Sequence, residues 1–143
     1  MPKLPLMSEP NTYTRRIDSP PDDVDTVHNL LISVWDDRPK VANADRFSFE
    51  TALVELTSNA IRHGDSGAGI SCSITIEVHD DRIEATLIDN GKFAQIELAE
   101  TTMPDELAES GRGLPLIKVL VDTFSYHRES DRNRWQIARK FTE

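Results

Sequence analysis

From Ile70 to Val78 the apolar residues Ile70, Cys72, Ile74, Ile76 and Val78 alternate without a break against Ser71, Ser73, Thr75 and Glu77. Successive side chains of a strand point to opposite faces, so this period of two predicts a half-buried antiparallel strand. Asp80-Asp81 turns the chain, and Arg82 to Asp89 repeats the pattern with Ile83, Ala85 and Leu87 inward. The second half is thereby committed to a sheet with one buried face. The same parity turns Asp89 inward, where a carboxylate must be paired or hydrogen-bonded, because burying a bare charge is costly. An Asp that merely caps a strand end at the surface is the ordinary alternative, and it stays open at this point.

The first half has the helical period. Thr12 to Ile17 reads as a short strand, and Asp18-Ser19-Pro20-Pro21 breaks it and supplies start signals for a helix from Asp22 to about Trp35. Val24, Val27, Leu30, Leu31 and Val34 form its stripe. Asp36-Asp37-Arg38-Pro39 turns the chain, and a loop through Asn43 leads to a second helix, Phe47 to His63, with Phe49, Leu53, Leu56 and Ala60 at three-to-four spacing. Gly64 is read as its C-terminal stop. Glu55, Asn59 and His63 stack at i, i+4 steps along the edge of the apolar face. An ionised Glu accepts a proton or orients a hydroxyl, and a carboxamide oxygen ligates a hard cation. A solvated helix flank is the plain alternative for such a pair.

Lys92 to Ser110 has no clear period and is dominated by Glu97, Glu100, Asp105, Glu106 and Glu109. Its length suggests a functional lid. Gly111-Arg112-Gly113 then feeds a helix from Leu114, with Pro115 in the first turn. Free amides, the helix dipole and close backbone approach at the glycines make that joint a ready anion site, with Arg112 as a charged fork; a simple loop-to-helix joint is the alternative. The chain ends in a hairpin, Thr123 to Arg128 and Arg134 to Phe141, with Glu129 to Asn133 in the turn.

The chain of 143 residues suits one domain, residues 12–143, behind a flexible tail, residues 1–11, that holds Pro2, Pro5 and Pro10. A net charge of −9 argues against nucleic acid as a direct partner, since phosphate-backbone binding needs a concentrated basic face. The single cysteine, Cys72, excludes a disulfide framework and a cysteine-based zinc site. His28, His63, His79 and His127 fall on separate predicted elements and form no recognisable metal cluster. No apolar leader or span is visible, so the cytoplasm is the expected location and no membrane partner is expected.

Taken in order, Glu55-x-x-x-Asn59-Ala60-Ile61-x-His63-Gly64, Asp89-x-Gly91 and Gly111-Arg112-Gly113-Leu114 before a helix resemble the N, G1 and G2 boxes of the GHKL ATPase superfamily. The small size and element order resemble its RsbW-type anti-sigma-factor serine kinases, over roughly Thr12 to Phe141. The resemblance implies a Bergerat-type α/β (α+β) two-layer sandwich: a mixed, mostly antiparallel sheet, helices on one face, and ATP beneath a lid. It implies Glu55 as general base and Asn59 as the magnesium ligand. Asp89 would accept the adenine amino hydrogen, with Gly91 letting the adenine edge come close and His63 beside the nucleotide. Gly111, Arg112, Gly113 and Leu114 would cradle phosphate. The implied activity is ATP-dependent serine phosphorylation of an anti-anti-sigma (STAS-type) protein, with sequestration of a sigma factor, in transcription regulation by partner switching. It leaves room for a homodimer. Phe93 stands where many members have a second glycine, which supports the alternative of a non-catalytic module of the same fold that sequesters a sigma factor or another regulator.

Overall fold

The computed structural model describes residues 11–92 and 113–142. Along the chain run β1 (Thr12–Ser19), α1 (Asp25–Asp37), α2 (Asn43–Gly64), β2 (Ile70–Val78), β3 (Arg82–Asp89), α3 (Gly113–Leu120), β4 (Thr123–Glu129) and β5 (Arg132–Lys140). The strands form one sheet in the order β1-β2-β3-β5-β4, and every pairing is antiparallel. The sheet expected to be mixed is therefore antiparallel throughout among the described residues, and the two-layer α+β architecture is as expected. The expected tail lies outside the described residues except for Asn11, whose Oδ1 accepts a hydrogen bond from Arg38 Nη2.

The alternation of β2 and β3 explains the layering. Ile74, Ile76, Ile83 and Leu87 are completely buried, and Phe49, Leu53 and Leu56 of α2, Val27, Leu31 and Val34 of α1 and Ile117 of α3 belong to the same core. Each such side chain contributes ~1.5–3 kcal/mol on leaving water, which is what holds the helices on this face. On the opposite face the register lines up Thr14, Thr75, Thr86, Gln136 and Ser125 across all five strands, a polar row suited to water.

Several boundaries differ from the sequence reading: β1 runs on through Asp18 and Ser19, which pair with Ser71 and Ile70 where a break was expected, and the ends of β4 and β5 shift by one or two residues. Helix α1 begins at Asp25 rather than Asp22, because the Asp22 carboxylate accepts from Asp18 N (2.9 Å) and Asp23 Oδ1 accepts from Asp25 N (2.9 Å). Both acids are spent on the turn before the helix. Helix α2 begins four residues earlier than Phe47, since its first turn is anchored by polar contacts that have no apolar period: Arg46 donates to the carbonyls of Val41, Arg38 and Pro39. The last hairpin turns on Ser130-Asp131, with Ser130 at φ 54°, so Asn133 lies inside β5 and not in the turn.

Asp45 secures the helical layer to the end of the sheet. It is 1% exposed, and its Oδ1 accepts from Arg139 Nε (3.0 Å) while its Oδ2 accepts from Thr142 N (3.0 Å) and Thr142 Oγ1 (2.9 Å). Burial pushes its carboxyl upward, but the hydrogen bonds from Thr142 and Arg139 outweigh it and hold the group below its ordinary 3.8. A carboxyl depressed on folding stabilises above its unfolded value and loses that contribution as pH falls through the folded one. Acid unfolding followed by circular dichroism should therefore show a stability loss that sets in below about pH 4 to 5. Asp45→Asn should be less stable at neutral pH, and the gap to wild type should narrow as the pH drops; a constant gap down to pH 2 would remove Asp45 from the acid response.

Candidate functional site

The core-facing row at one end of the sheet runs Ile17, Cys72, Asp89, Asn133 and Arg128. Asp89 is thus inward, as the parity requires, and only 2% exposed. Its Oδ1 accepts from Gly91 N (2.8 Å) and from Asn133 Nδ2 (2.9 Å), and its Oδ2 accepts from the indole Trp135 Nε1 (2.9 Å). The surface-cap alternative is excluded, and the buried charge is met by three donors. Asn133 is itself held: its Oδ1 accepts from Tyr126 OH (2.5 Å) and Arg128 Nη1 (3.0 Å), and its Nδ2 also reaches Lys92 O (2.9 Å). Arg128 Nη1 donates to Gly91 O as well (2.8 Å), so the backbone after β3 is clamped to the last hairpin. Beside this row, burial first and then the charges of Asp89 and Asp18 push the Cys72 thiol up to about 12, which leaves it a protonated core group.

Gly91 and Gly64 touch. A Cβ on Gly91 would stand 2.7 Å from Gly64 Cα and 2.9 Å from Ile70 Cδ1, and one on Gly64 would stand 2.7 Å from Ile70 Cδ1. Gly64 therefore ends α2 for a reason other than a left-handed cap. Asp65 after it is extended (φ −78°, ψ 120°), and among the described residues the positive-φ glycines are Gly67 and Gly69. What the two absent side chains admit is backbone contact between the end of α2 and the end of β3, with Lys92 N donating to Gly64 O (3.4 Å).

Along α2 the stacked residues separate in environment. Asn59 is 5% exposed; its Oδ1 accepts from Arg62 Nη2 (2.7 Å), and its Nδ2 is buried with no hydrogen-bond partner among the described residues. The guanidinium determines which end of the carboxamide faces it, so the orphan group is a donor. His63 is exposed; desolvation first, then the charges of Arg62 and Lys92, hold its imidazole below the usual 6.5. Glu55 is half-buried and lines a groove of about 330 Å³ between α1 and α2 with His28, Phe47, Glu50, Thr51 and Val54. Other acids of the helix are committed: Asp45 as above, and Glu50 to His28 Nδ1 (2.5 Å) and Trp35 Nε1 (3.3 Å). Among the described residues no hydrogen bond or ion pair is recorded for Glu55.

The Lys92-to-Ser110 lid, apart from Lys92, lies outside the described residues, as do Phe93, Gly111 and Arg112. Helix α3 is present as expected and begins at Gly113, one residue before the expected start at Leu114. Sequence reasoning missed Asn133, Trp135, Arg128 and Arg62. The hydrogen-bond partner of Trp135 is fixed by pairing between distant strands. Sequence reasoning also missed a charge cluster: register sets Glu77 opposite Glu84, with His79 Nε2 3.8 Å and 3.6 Å from them. Arg82 Nε lies 2.6 Å from Glu84, so that one carboxylate of the group has an ion-pair partner within the chain.

A family model described as "Histidine kinase-like ATPase domain" matches residues 17–138. Among solved structures, the histidine kinase domain of the Erythrobacter litoralis EL346 blue-light activated histidine kinase is similar with a TM-score of 0.53 at 14% identity, over 68% of this chain and 45% of that one. The chain spans less than half the length of that structure, and the likeness is one of fold. Acinetobacter baumannii histidine kinase AdeS matches with a TM-score of 0.48 at 18% identity, over 91% of this chain and 68% of that one. A search of curated proteins returned no significant match. No helix among the described residues is long and apolar enough to cross a membrane.

The glycine contact is asymmetric, which makes it testable. Gly64→Ala presses on the far end of a flexible isoleucine, whereas Gly91→Ala presses on backbone. Urea denaturation should show Gly91→Ala destabilised by ~1–3 kcal/mol, the usual cost of overpacking, and Gly64→Ala by less. The reverse order would mean that the two segments do not meet this way. An NMR titration of His63 should give a midpoint below 6.5, and Lys92→Met should raise it by removing a nearby positive charge. A midpoint above 6.5 would contradict the arrangement of His63, Arg62 and Lys92.

Proposed function

The chain belongs to the family of histidine kinase-like ATPase domains, and from that premise we propose that it is an ATP-dependent serine protein kinase. Its substrate would be an anti-anti-sigma protein of the STAS type, and it would sequester a sigma factor when that antagonist is absent. The observation that carries the reading is the state of Glu55: a half-buried carboxylate on a groove wall, with no recorded partner among the described residues, on a helix whose Asp45 and Glu50 are committed. A general base needs an accessible, unpaired acceptor, and a merely structural acid does not.

The residues suit the nucleotide that the family binds. Asp89 retains acceptor capacity for an adenine amino group, and the orphaned Asn59 Nδ2 suits a phosphate oxygen. The carboxamide oxygen of Asn59, which takes one hydrogen bond from Arg62, keeps a second lone pair for magnesium. Gly111, Arg112, Gly113 and Leu114 would hold the remaining phosphates. Bound ATP with magnesium supplies the phosphoryl group and a cation to offset its charge. Glu55 takes the proton of the substrate serine hydroxyl as its oxygen bonds to phosphorus and the bond from that phosphorus to the departing ADP breaks. The α1–α2 groove is the open approach to Glu55 for such a side chain.

A second reading, a binding module without turnover, draws support from Asp89, which is satisfied by donors of the chain itself and needs no ligand for stability. Phosphate transfer to anti-anti-sigma proteins, measured beside calorimetry with ATP and capture of sigma factors, separates the two. Under the kinase reading Glu55→Ala should leave ATP affinity within a few-fold and lower transfer by ~10²–10⁴-fold. Sigma capture with no transfer by wild type to any candidate would establish the module instead.

A further inference from the structure

The last hairpin carries none of the motifs assigned above, yet it supplies Asn133 and Trp135 to Asp89. An ionised carboxylate has about four acceptor sites. Gly91 N and Asn133 Nδ2 take both on Oδ1, and Trp135 Nε1 takes one on Oδ2, which leaves one. We propose that Asn133 and Trp135 are positioning residues for base selection: they leave Asp89 with a single acceptor of fixed direction, suited to a ligand edge that offers one N–H there. Adenine offers its exocyclic amine at that edge. Guanine offers a carbonyl, which would set one acceptor against another, a mismatch that buried polar sites reject strongly. The inference rests on the nucleotide reading of the preceding subsection and adds to it the residues that set the choice of base.

The network shows why the direction is fixed. Tyr126 and Arg128 both donate to Asn133 Oδ1, so the amide nitrogen must face Asp89. The indole of Trp135 is packed by Tyr126, with ring centroids 4.4 Å apart, and by Phe124 at 6.4 Å, so it cannot swing from the carboxylate without unpacking the hairpin. Turning the carboxylate would break bonds to both β5 residues together. Without the indole N–H, Oδ2 has two open sites, water enters, and the remaining acceptor no longer has one direction.

The test is calorimetry with ADP and GDP on wild type, on Trp135→Phe, and on protein carrying 3-benzothienylalanine at position 135, which keeps the shape of the indole and lacks its N–H. The adenine preference should fall by about tenfold in both variants, the scale of one hydrogen bond to a charged group. The isosteric variant should keep the wild-type melting temperature within a few degrees, and it decides the matter if Trp135→Phe fails to fold. In nucleotide-free wild type, the Trp135 indole proton should exchange slowly with solvent by NMR. A wild-type preference retained in the isosteric variant, or a rapidly exchanging indole proton, would overturn the inference alone. A wild type with no preference for adenine would overturn it together with the nucleotide reading.

Discussion

A carboxylate buried at the end of a strand has to find donors, and the arrangement of this end of the molecule follows from how Asp89 finds them. Its own turn provides one, Gly91 N, and the neighbouring strand provides Asn133 and Trp135. Because Asn133 and Arg128 also bind the carbonyls of Gly91 and Lys92, one charge joins the end of β3, the start of β5 and the point where the chain leaves for residue 93. Losing any member would leave another buried polar group unmatched, so the network acts as a unit.

Helix α2 connects this end to the rest of the domain, and its acids divide its work. Asp45, at its start, is neutralised by Arg139 and Thr142 and fastens the helical layer to the last strand. Glu50 is shared by His28 and Trp35 and fastens α1. Glu55 is left on the wall of the groove, and Asn59 keeps an orphan donor one turn farther on. The helix ends where Gly64 meets Gly91, so its polar edge and the Asp89 network are held together by backbone contact that no side chain interrupts. The apolar stripe gives the helix its place, and the polar edge gives that place a chemistry.

Much of this was legible in the linear chain, and the parts that were not share a cause. The alternation of Ile70 to Val78 and Ile83 to Leu87 placed β2 and β3 to the residue, because a one-residue slip would turn every apolar side chain to water. Helix ends were less legible: Asp22 and Asp23 look like helix starts, yet their carboxylates serve the preceding turn. Asn133 looks like a turn residue by its local preference, and the need of Asp89 for a donor, 44 residues away, overrides that preference.

The sequence by itself determined the period of β2, β3 and the helical stripes, and with it which face each residue of those elements takes, since that depends on steps of two or 3.6 residues that local geometry dictates; that Asp89 is buried rather than a surface cap was decided by the fold. Only the tertiary structure decided what each polar group touches. Trp135 reaches Asp89 because β5 inserts between β3 and β4, and Gly91 meets Gly64 because α2 and β3 end at the same edge. Hydrogen bonds act over about 3 Å, and which groups come that close is a property of strand order and packing, not of spacing along the chain.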